Sequence, residues 1–320
     1  MSPALLAAPT GLAFDLITVA AAFLICLALY PLLIRRFRRV GVGQVIQAEL
    51  APEHQRKAGT PTGGGILFVA VAVVGGLLSL RMHPGALPSI VALVLFGGLG
   101  LLDDLRKLRV GAIGIPARFK FPLQLLLAIP VAVLAYGPQV GIPTGLNWVI
   151  LPLTVLAVAG AANAVNLTDG LDGLAGGLTV IALAACVLLL PGAPAGERAV
   201  GMALVGGLLA FLVFNRHPAR IFMGDMGALG LGATLAALAV QQGWVLLLLL
   251  LGLVFVLVTL SVIIQVTYFK ATGGRRVFKM TPIQFTFQLA GWSENRIALT
   301  FWSVGAAAAL ASGWIAHALR

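Results

Sequence analysis

Asn163-Ala164-Val165-Asn166-Leu167-Thr168-Asp169-Gly170-Leu171-Asp172-Gly173 sets two amides, two carboxylates and two Asp-Gly turns between apolar runs. The flanking runs, 148–165 and 174–190, approach the roughly 20 helical residues that a bilayer core requires. Polar groups are expensive at a membrane, so a cluster this dense calls for a chemical reason. The stretch therefore reads as the junction of two membrane helices with a polar site between them.

Composition agrees. The 320 residues are 60% hydrophobic and 10% charged, against roughly 25% charged in soluble domains, and mean hydropathy is +1.05. This excludes a soluble globular protein and predicts an all-α, polytopic integral membrane protein, a single domain over 1–320. The 39 glycines suit close approach of membrane helices. Cys26 and Cys186 lie in apolar runs and read as small buried side chains. A net charge of +11 invites a nucleic-acid reading, but a membrane protein gains it from the positive-inside bias and anionic lipid, so no nucleic-acid partner is expected. The first cation is Arg35, so the first apolar segment lacks the charged leader of a signal peptide and is expected to stay as a helix.

About ten transmembrane helices are expected, near 12–33, 64–80, 89–102, 121–136, 148–165, 174–190, 199–214, 227–240, 244–268 and 297–319. The third and eighth are short, which predicts irregular backbone lining a polar cavity at their ends. Counting loops alternately puts 18 of the 21 lysines and arginines on one face; only Arg81, Arg198 and Arg320 fall on the other. Both termini are then non-cytoplasmic. Of the acids, only Asp15 and Glu197 lie away from the cytoplasmic face, and acids gathered with bases on one side point to a site there.

Four loops on that face carry candidate chemistry. His54-Gln55-Arg56-Lys57-Ala58-Gly59-Thr60-Pro61-Thr62-Gly63-Gly64-Gly65 opens a helix with free N–H groups that suit a phosphate, or is a plain helix entry capped by Thr. Asp103 and Asp104 end an apolar run. Neighbours on a helix point about 100° apart, so the pair predicts two different partners, with Lys107 an i, i+4 partner for Asp103. In the opening stretch, Asp169 is a candidate cap for the sixth helix, with Asp172 three residues on. Asp225, flanked by Gly224 and Gly227, is a candidate Mg²⁺ ligand, because Mg²⁺ takes one or two carboxylates and fills its remaining positions with water and phosphate. Together the loops predict metal-assisted phosphoryl transfer, in which positioning and charge neutralisation do most of the catalysis.

Arg56-Lys57-Ala58-Gly59-Thr60-Pro61-Thr62, Asp103-Asp104 with Lys107, the 163–173 stretch, Phe222-Met223-Gly224-Asp225 and Met280-Thr281-Pro282-Ile283 resemble, in order, the motifs of the polyprenyl-phosphate N-acetylhexosamine-1-phosphate transferases. The 57–62 and 280–283 segments are most similar to the branch with a UDP-MurNAc-pentapeptide donor. The resemblance implies Mg²⁺-dependent transfer to undecaprenyl phosphate at the cytoplasmic face of a bacterial inner membrane, giving lipid I and UMP for peptidoglycan. It implies Asp225 as metal ligand with Asn166 as second contact, and Asp103, Asp104 and Asp225 as the catalytic acids. It further implies Lys57, Thr62, Lys107, Lys120, Asn163, Asp169, Asp172, Asn215 and Phe222 as substrate contacts: Phe222 to stack on the base, Lys107 and Lys120 for phosphates. The lipid bilayer is the standing partner, and a homodimer is compatible with the resemblance.

Two departures stand out. The family's histidine run after Pro-Ile is replaced by Gln284-Phe285-Thr286-Phe287-Gln288, and its serine after Asp-x-Gly is Ala228. They leave a UDP-GlcNAc-type transferase and a silent paralogue as alternatives, with a membrane transporter from another class. His217 reads first as a surface residue. An attacking phosphate is already anionic near neutral pH, so the chemistry does not require a histidine base.

Overall fold

The computed structural model describes residues 11–41, 43, 59–80, 83–110, 114–136 and 147–320. Among these the chain is helical, apart from one isolated antiparallel bridge between Gly43 and Pro61. The helices are α1 (Leu12–Val40), α2 (Gly65–Ser79), α3 (Leu87–Val110), α4 (Ala117–Tyr136), α5 (Asn147–Thr168), α6 (Leu174–Leu188), α7 (Ala195–Asn215), α8 (Gly224–Gln241), α9 (Leu248–Leu251), α10 (Leu253–Ala271), α11 (Ile283–Leu289) and α12 (Glu294–Ala318).

Each expected apolar segment falls on a helix. Seven described helices are long and apolar enough to cross a membrane, while α2 and α6 are shorter apolar helices. The chain is thus a multi-pass membrane protein, and large apolar side chains such as Leu78, Leu126, Trp148 and Trp314 stand exposed on its outside as lipid requires.

Both expectations of irregular helix ends fail. The third segment does not end in irregular backbone: α3 runs 24 residues and carries Asp103, Asp104 and Lys107 in its last turns. Those side chains find partners, so the helix has no reason to break. The eighth segment also lies inside a regular helix, the 18 residues of α8. The ninth segment is interrupted at Gly252, which separates α9 from α10.

α8 is the axis of the bundle, and every residue of 227–240 is buried. Its neighbours α3 and α5 approach at backbone distance. A Cβ on Gly100 of α3 would lie 2.3 Å from the Asp225 carbonyl oxygen. One on Gly232 of α8 would lie 2.2 Å from the Ala161 carbonyl oxygen of α5. Only glycine permits either contact, and together they bring the end of α3, the start of α8 and the end of α5 to one place.

Candidate active site

The last turn of α3, the start of α4, the end of α5 and the first turn of α8 meet around Asp225. Its carboxylate pairs with Lys120 and, at 2.9 Å, with Lys107. Asn166 donates its amide to Asp225 Oδ1 at 3.1 Å. Both lysines also reach Asp103 Oδ2, Lys107 at 2.7 Å and Lys120 at 3.4 Å. Asp103 Oδ1 accepts the Ile115 N–H at 2.5 Å, and a Cβ on Gly114 would lie 2.8 Å from both its oxygens. The 114–115 segment therefore folds tightly over this carboxylate.

Asp104 points elsewhere, as neighbours on a helix must. Its oxygens accept the Asp225 N–H at 3.0 Å and the Met226 N–H at 3.1 Å. A carboxylate on the first N–H groups of a helix satisfies donors that lack intrahelical partners and meets the positive end of the dipole. Asp104 thus holds α8 in position, while Asp103 faces the lysines.

Asp169 does not cap the sixth helix. The N-cap of α6 is Gly173 at φ 73°, with no side-chain cap bond, because the chain turns twice before the helix begins. Asp169 stays near the cluster: burial, then Asp225, Asp104 and Asp172, push its carboxyl up to about 7, with Lys107 opposing.

The expected phosphate cradle at the start of α2 is also closed. The N–H groups of Gly64 and Gly65 donate to Phe222 O at 2.8 Å and Met223 O at 2.9 Å, and no Thr side chain caps the helix. Phe222 N–H in turn donates to Pro61 O at 2.8 Å. The two loops are clasped by backbone bonds that fix half-buried Phe222 beside Thr62. Lys57 lies outside the described residues.

A second group adjoins the first. Asp172 Oδ2 accepts the Ala219 N–H at 3.0 Å and meets His217 Nδ1 at 2.9 Å. Glu294 Oε2 accepts the Asp172 N–H at 3.0 Å and lies 3.9 Å from the same ring nitrogen. His217 is exposed, but it is not an unengaged surface residue. Asn215 Oδ1 accepts the Gly173 N–H at 3.0 Å while its Nδ2 donates to Ile221 O at 2.9 Å. Asn163 turns the other way, one helical turn below Asn166: its amide donates to Gln124 of α4 at 2.6 Å and to Ala159 O at 2.8 Å. It is not part of the Asp225 cluster.

Sequence reading missed Gln124, Glu294 and Gln284. The only available signals were the acid opening α12 and the polar glutamine after Pro-Ile. An apolar cleft of about 310 Å³ between α5 and α9–α10, lined by Leu156, Gly160, Ala164, Leu249 and Phe255 among others, extends along α5 as far as Val165.

Four carboxyls, Asp103, Asp104, Asp169 and Asp225, surround two described lysines, and Asp225 and Asn166 offer the hard oxygen donors that Mg²⁺ prefers. The Lys107 and Lys120 ammoniums now balance the charge that a divalent cation would balance. The donor set fits the ion.

The model of glycosyl transferase family 4 matches residues 86–243. The phospho-N-acetylmuramoyl-pentapeptide-transferase of Listeria monocytogenes serovar 1/2a is 41% identical over 313 residues, covering 92% of this chain and 96% of that protein. Proteins of the same name from Bacillus thuringiensis and Bacillus cereus are 42% identical over 305 residues, covering 91% of this chain and 94% of each relative.

Proposed function

The chain belongs to the phospho-N-acetylmuramoyl-pentapeptide-transferase family, and from that premise we propose that the cluster around Asp225 is where phosphoryl transfer takes place. The protein is a membrane transferase of peptidoglycan synthesis that moves phospho-MurNAc-pentapeptide from its nucleotide carrier to a polyprenyl phosphate. The observation that carries the site is the excess of carboxyls over lysines around Asp225 among the described residues, a negative charge that a divalent cation between protein and diphosphate would answer.

In our reading Asp225 and the Asn166 amide oxygen hold Mg²⁺. Bound there, the ion would neutralise diphosphate charge and stabilise the leaving UMP. Lys107 and Lys120 turn from the carboxylates to the phosphates and keep them in line. The apolar cleft receives the isoprenoid chain, and its end beside Val165 delivers the lipid phosphate to the lysines. A lipid phosphate oxygen forms the new bond to the sugar-linked phosphorus as that atom's bond to the UMP oxygen breaks. Asp103 orients the lysines, Asp104 holds the α8 terminus, and Phe222 and Asp172 receive the uridine.

We also propose ten spans with both termini outside the cytoplasm and this site on the cytoplasmic face of the inner membrane. Its support is the positive-inside asymmetry together with one contact. The Phe37 ring, within the arginine-rich end of α1, lies 3.4 Å from a Cβ position on Gly63, and Gly63 Cα lies 3.1 Å from one on Gly224. The arginines thus share an end of the molecule with Asp225.

The test is UMP release by the purified full chain in detergent with undecaprenyl phosphate and Mg²⁺, offered UDP-MurNAc-pentapeptide or UDP-GlcNAc. Release from the first is expected. Release only from the second would move the chain to the related branch that the Gln284-Phe285-Thr286 substitution allows, and release from neither would overturn the reading.

A further inference from the structure

The last carbonyls of a helix have no intrahelical partners, and in α5 each must be closed by something else. Val165 O and Asn166 O both accept the Asp169 N–H, at 3.1 and 3.2 Å, and Thr168 O accepts the Gly170 N–H at 2.9 Å. Leu167 O is closed from far along the chain, by the side-chain amide of Gln284 at 2.9 Å. Five residues on, Glu294 Oε2 accepts the Asp172 N–H at 3.0 Å. The Trp302 indole then donates to Leu174 O at 3.2 Å. Side chains of α11 and α12 therefore grip the backbone on both sides of Asp169.

Gln284 is fully buried, and its Oε1 has no partner among the described residues. An apolar side chain of similar length would fill this space without an orphan acceptor, so what the amide adds is its donor to Leu167 O. The contact is tight: a Cβ on Gly170 would lie 2.7 Å from Phe285 Cζ and 3.4 Å from Gln284 Nε2. Gln284 stands first in the segment that replaces the family's histidine run, and here it acts on the backbone one residue from Asn166.

We infer that Gln284 and Glu294 are positioning residues for the transfer proposed above: Gln284 fixes the α5 terminus that aims Asn166 at Asp225, and Glu294 fixes the backbone of Asp172. The inference rests on that functional reading. It divides the C-terminal segment into two arms, one serving the metal-side amide and one the nucleotide-side carboxylate, so the two residues must fail differently.

The experiment uses the full chain in detergent with Gln284→Met, Gln284→His, Glu294→Leu and Glu294→Gln. Mn²⁺ binding is read by electron paramagnetic resonance without substrates, and kcat and KM are read with UDP-MurNAc-pentapeptide. Gln284→Met should weaken Mn²⁺ binding and lower kcat at limiting Mg²⁺ by about tenfold, the size of one hydrogen bond, with KM for the donor within about twofold. Gln284→His, which keeps a ring N–H, should restore most of the loss. Glu294→Leu should raise donor KM about tenfold and leave Mn²⁺ binding alone, and Glu294→Gln, which keeps an acceptor, should rescue it.

Equal Mn²⁺ binding and equal KM in the wild type and in both apolar variants would overturn the inference. So would both variants losing both properties together, since that is general loosening. If an apolar variant does not fold, its conservative counterpart decides: wild-type binding and KM support the arm, and their loss in a folded protein overturns it. Wild-type UMP release is measured first; its absence overturns the functional reading instead, whatever the variants do.

Discussion

At the N-terminal end of α3, fully buried Glu197 has both oxygens taken by Ser89, one by the backbone N–H at 3.1 Å and the other by the hydroxyl. Beside it Asp15 pairs with Arg198, whose Nη1 donates to Val187 O at 2.9 Å. Roughly 21 Å along the same helix, at 1.5 Å per residue, Asp103 and Asp225 share the same two lysines while Asp104 and Asp169 crowd in. The first end assigns each acid its own partner and ties α1, α3 and α7 together. At the second, among the described residues, two lysines are shared by Asp103 and Asp225, while Asp104 has only backbone N–H groups and Asp169 lies close by. Among the described residues, buried acids are matched where they serve only the fold, and outnumber the cations where we propose that a divalent ion and phosphates enter.

The strongest attack on that contrast is Asp225→Asn. It removes the shared carboxylate and should reduce UMP release on the order of a thousandfold, with thermal stability kept because Asp103 still pairs with both lysines and the amide keeps the side chain's size. Wild-type turnover in this variant would mean that the crowded end is not the metal site. Next comes Gly100→Ala. Its Cβ would meet the Asp225 carbonyl at 2.3 Å, so α3 and α8 must separate, at a cost of about 1–3 kcal/mol and about a hundredfold in turnover. Gly98→Ala is the control: nothing lies within 4 Å of its Cβ position, and unfolding and activity should both stay at wild type.

The matched end should behave in the opposite way. Arg198→Met leaves the Asp15 carboxylate buried without its cation and should cost about 2 kcal/mol in thermal unfolding. Turnover per folded molecule should not change. A drop in kcat at fixed folded fraction would show that the two ends are coupled and would break the division between them.

How much of this was legible in sequence depended on how locally each feature is encoded. Hydropathy marks the ten apolar segments because lipid imposes the pattern on every turn. Asp103, Asp104 and Asp225 stood out because an acid bordering such a run is costly, and the divergence of the adjacent pair followed from helix geometry. The N–H groups of Gly64 and Gly65 looked open because nothing local says that the Phe222 and Met223 carbonyls will cover them. Gln284 and Glu294 were hidden for the same reason. Their partners Leu167 and Asp172 lie 117 and 122 residues away, and one sequence carries no record of such pairing. Asn163 and Asn166 look equivalent in sequence, yet one helical turn sends the first to Gln124 and the second to Asp225.

The finest probe of the crowded end is Asp169. Burial and three neighbouring acids hold its carboxyl at about 7 against an ordinary 3.8, so between those values the folded protein binds a proton that the unfolded chain has released. Stability then falls as pH rises from about 4 to about 7 and is level above that, the reverse of a salt-bridged acid. Asp169→Asn cannot ionise. Measured in detergent without divalent ions, its melting temperature should match wild type near pH 3.5 and exceed it near pH 8. The half-buried side chain is partly screened by water, which limits the gain to about 1 kcal/mol, or about 2–4 °C. A gain of the same size at both pH values would mean that Asp169 is destabilising for reasons of packing. No gain at all would mean that the lysines already neutralise the cluster, leaving no excess charge for a cation to answer.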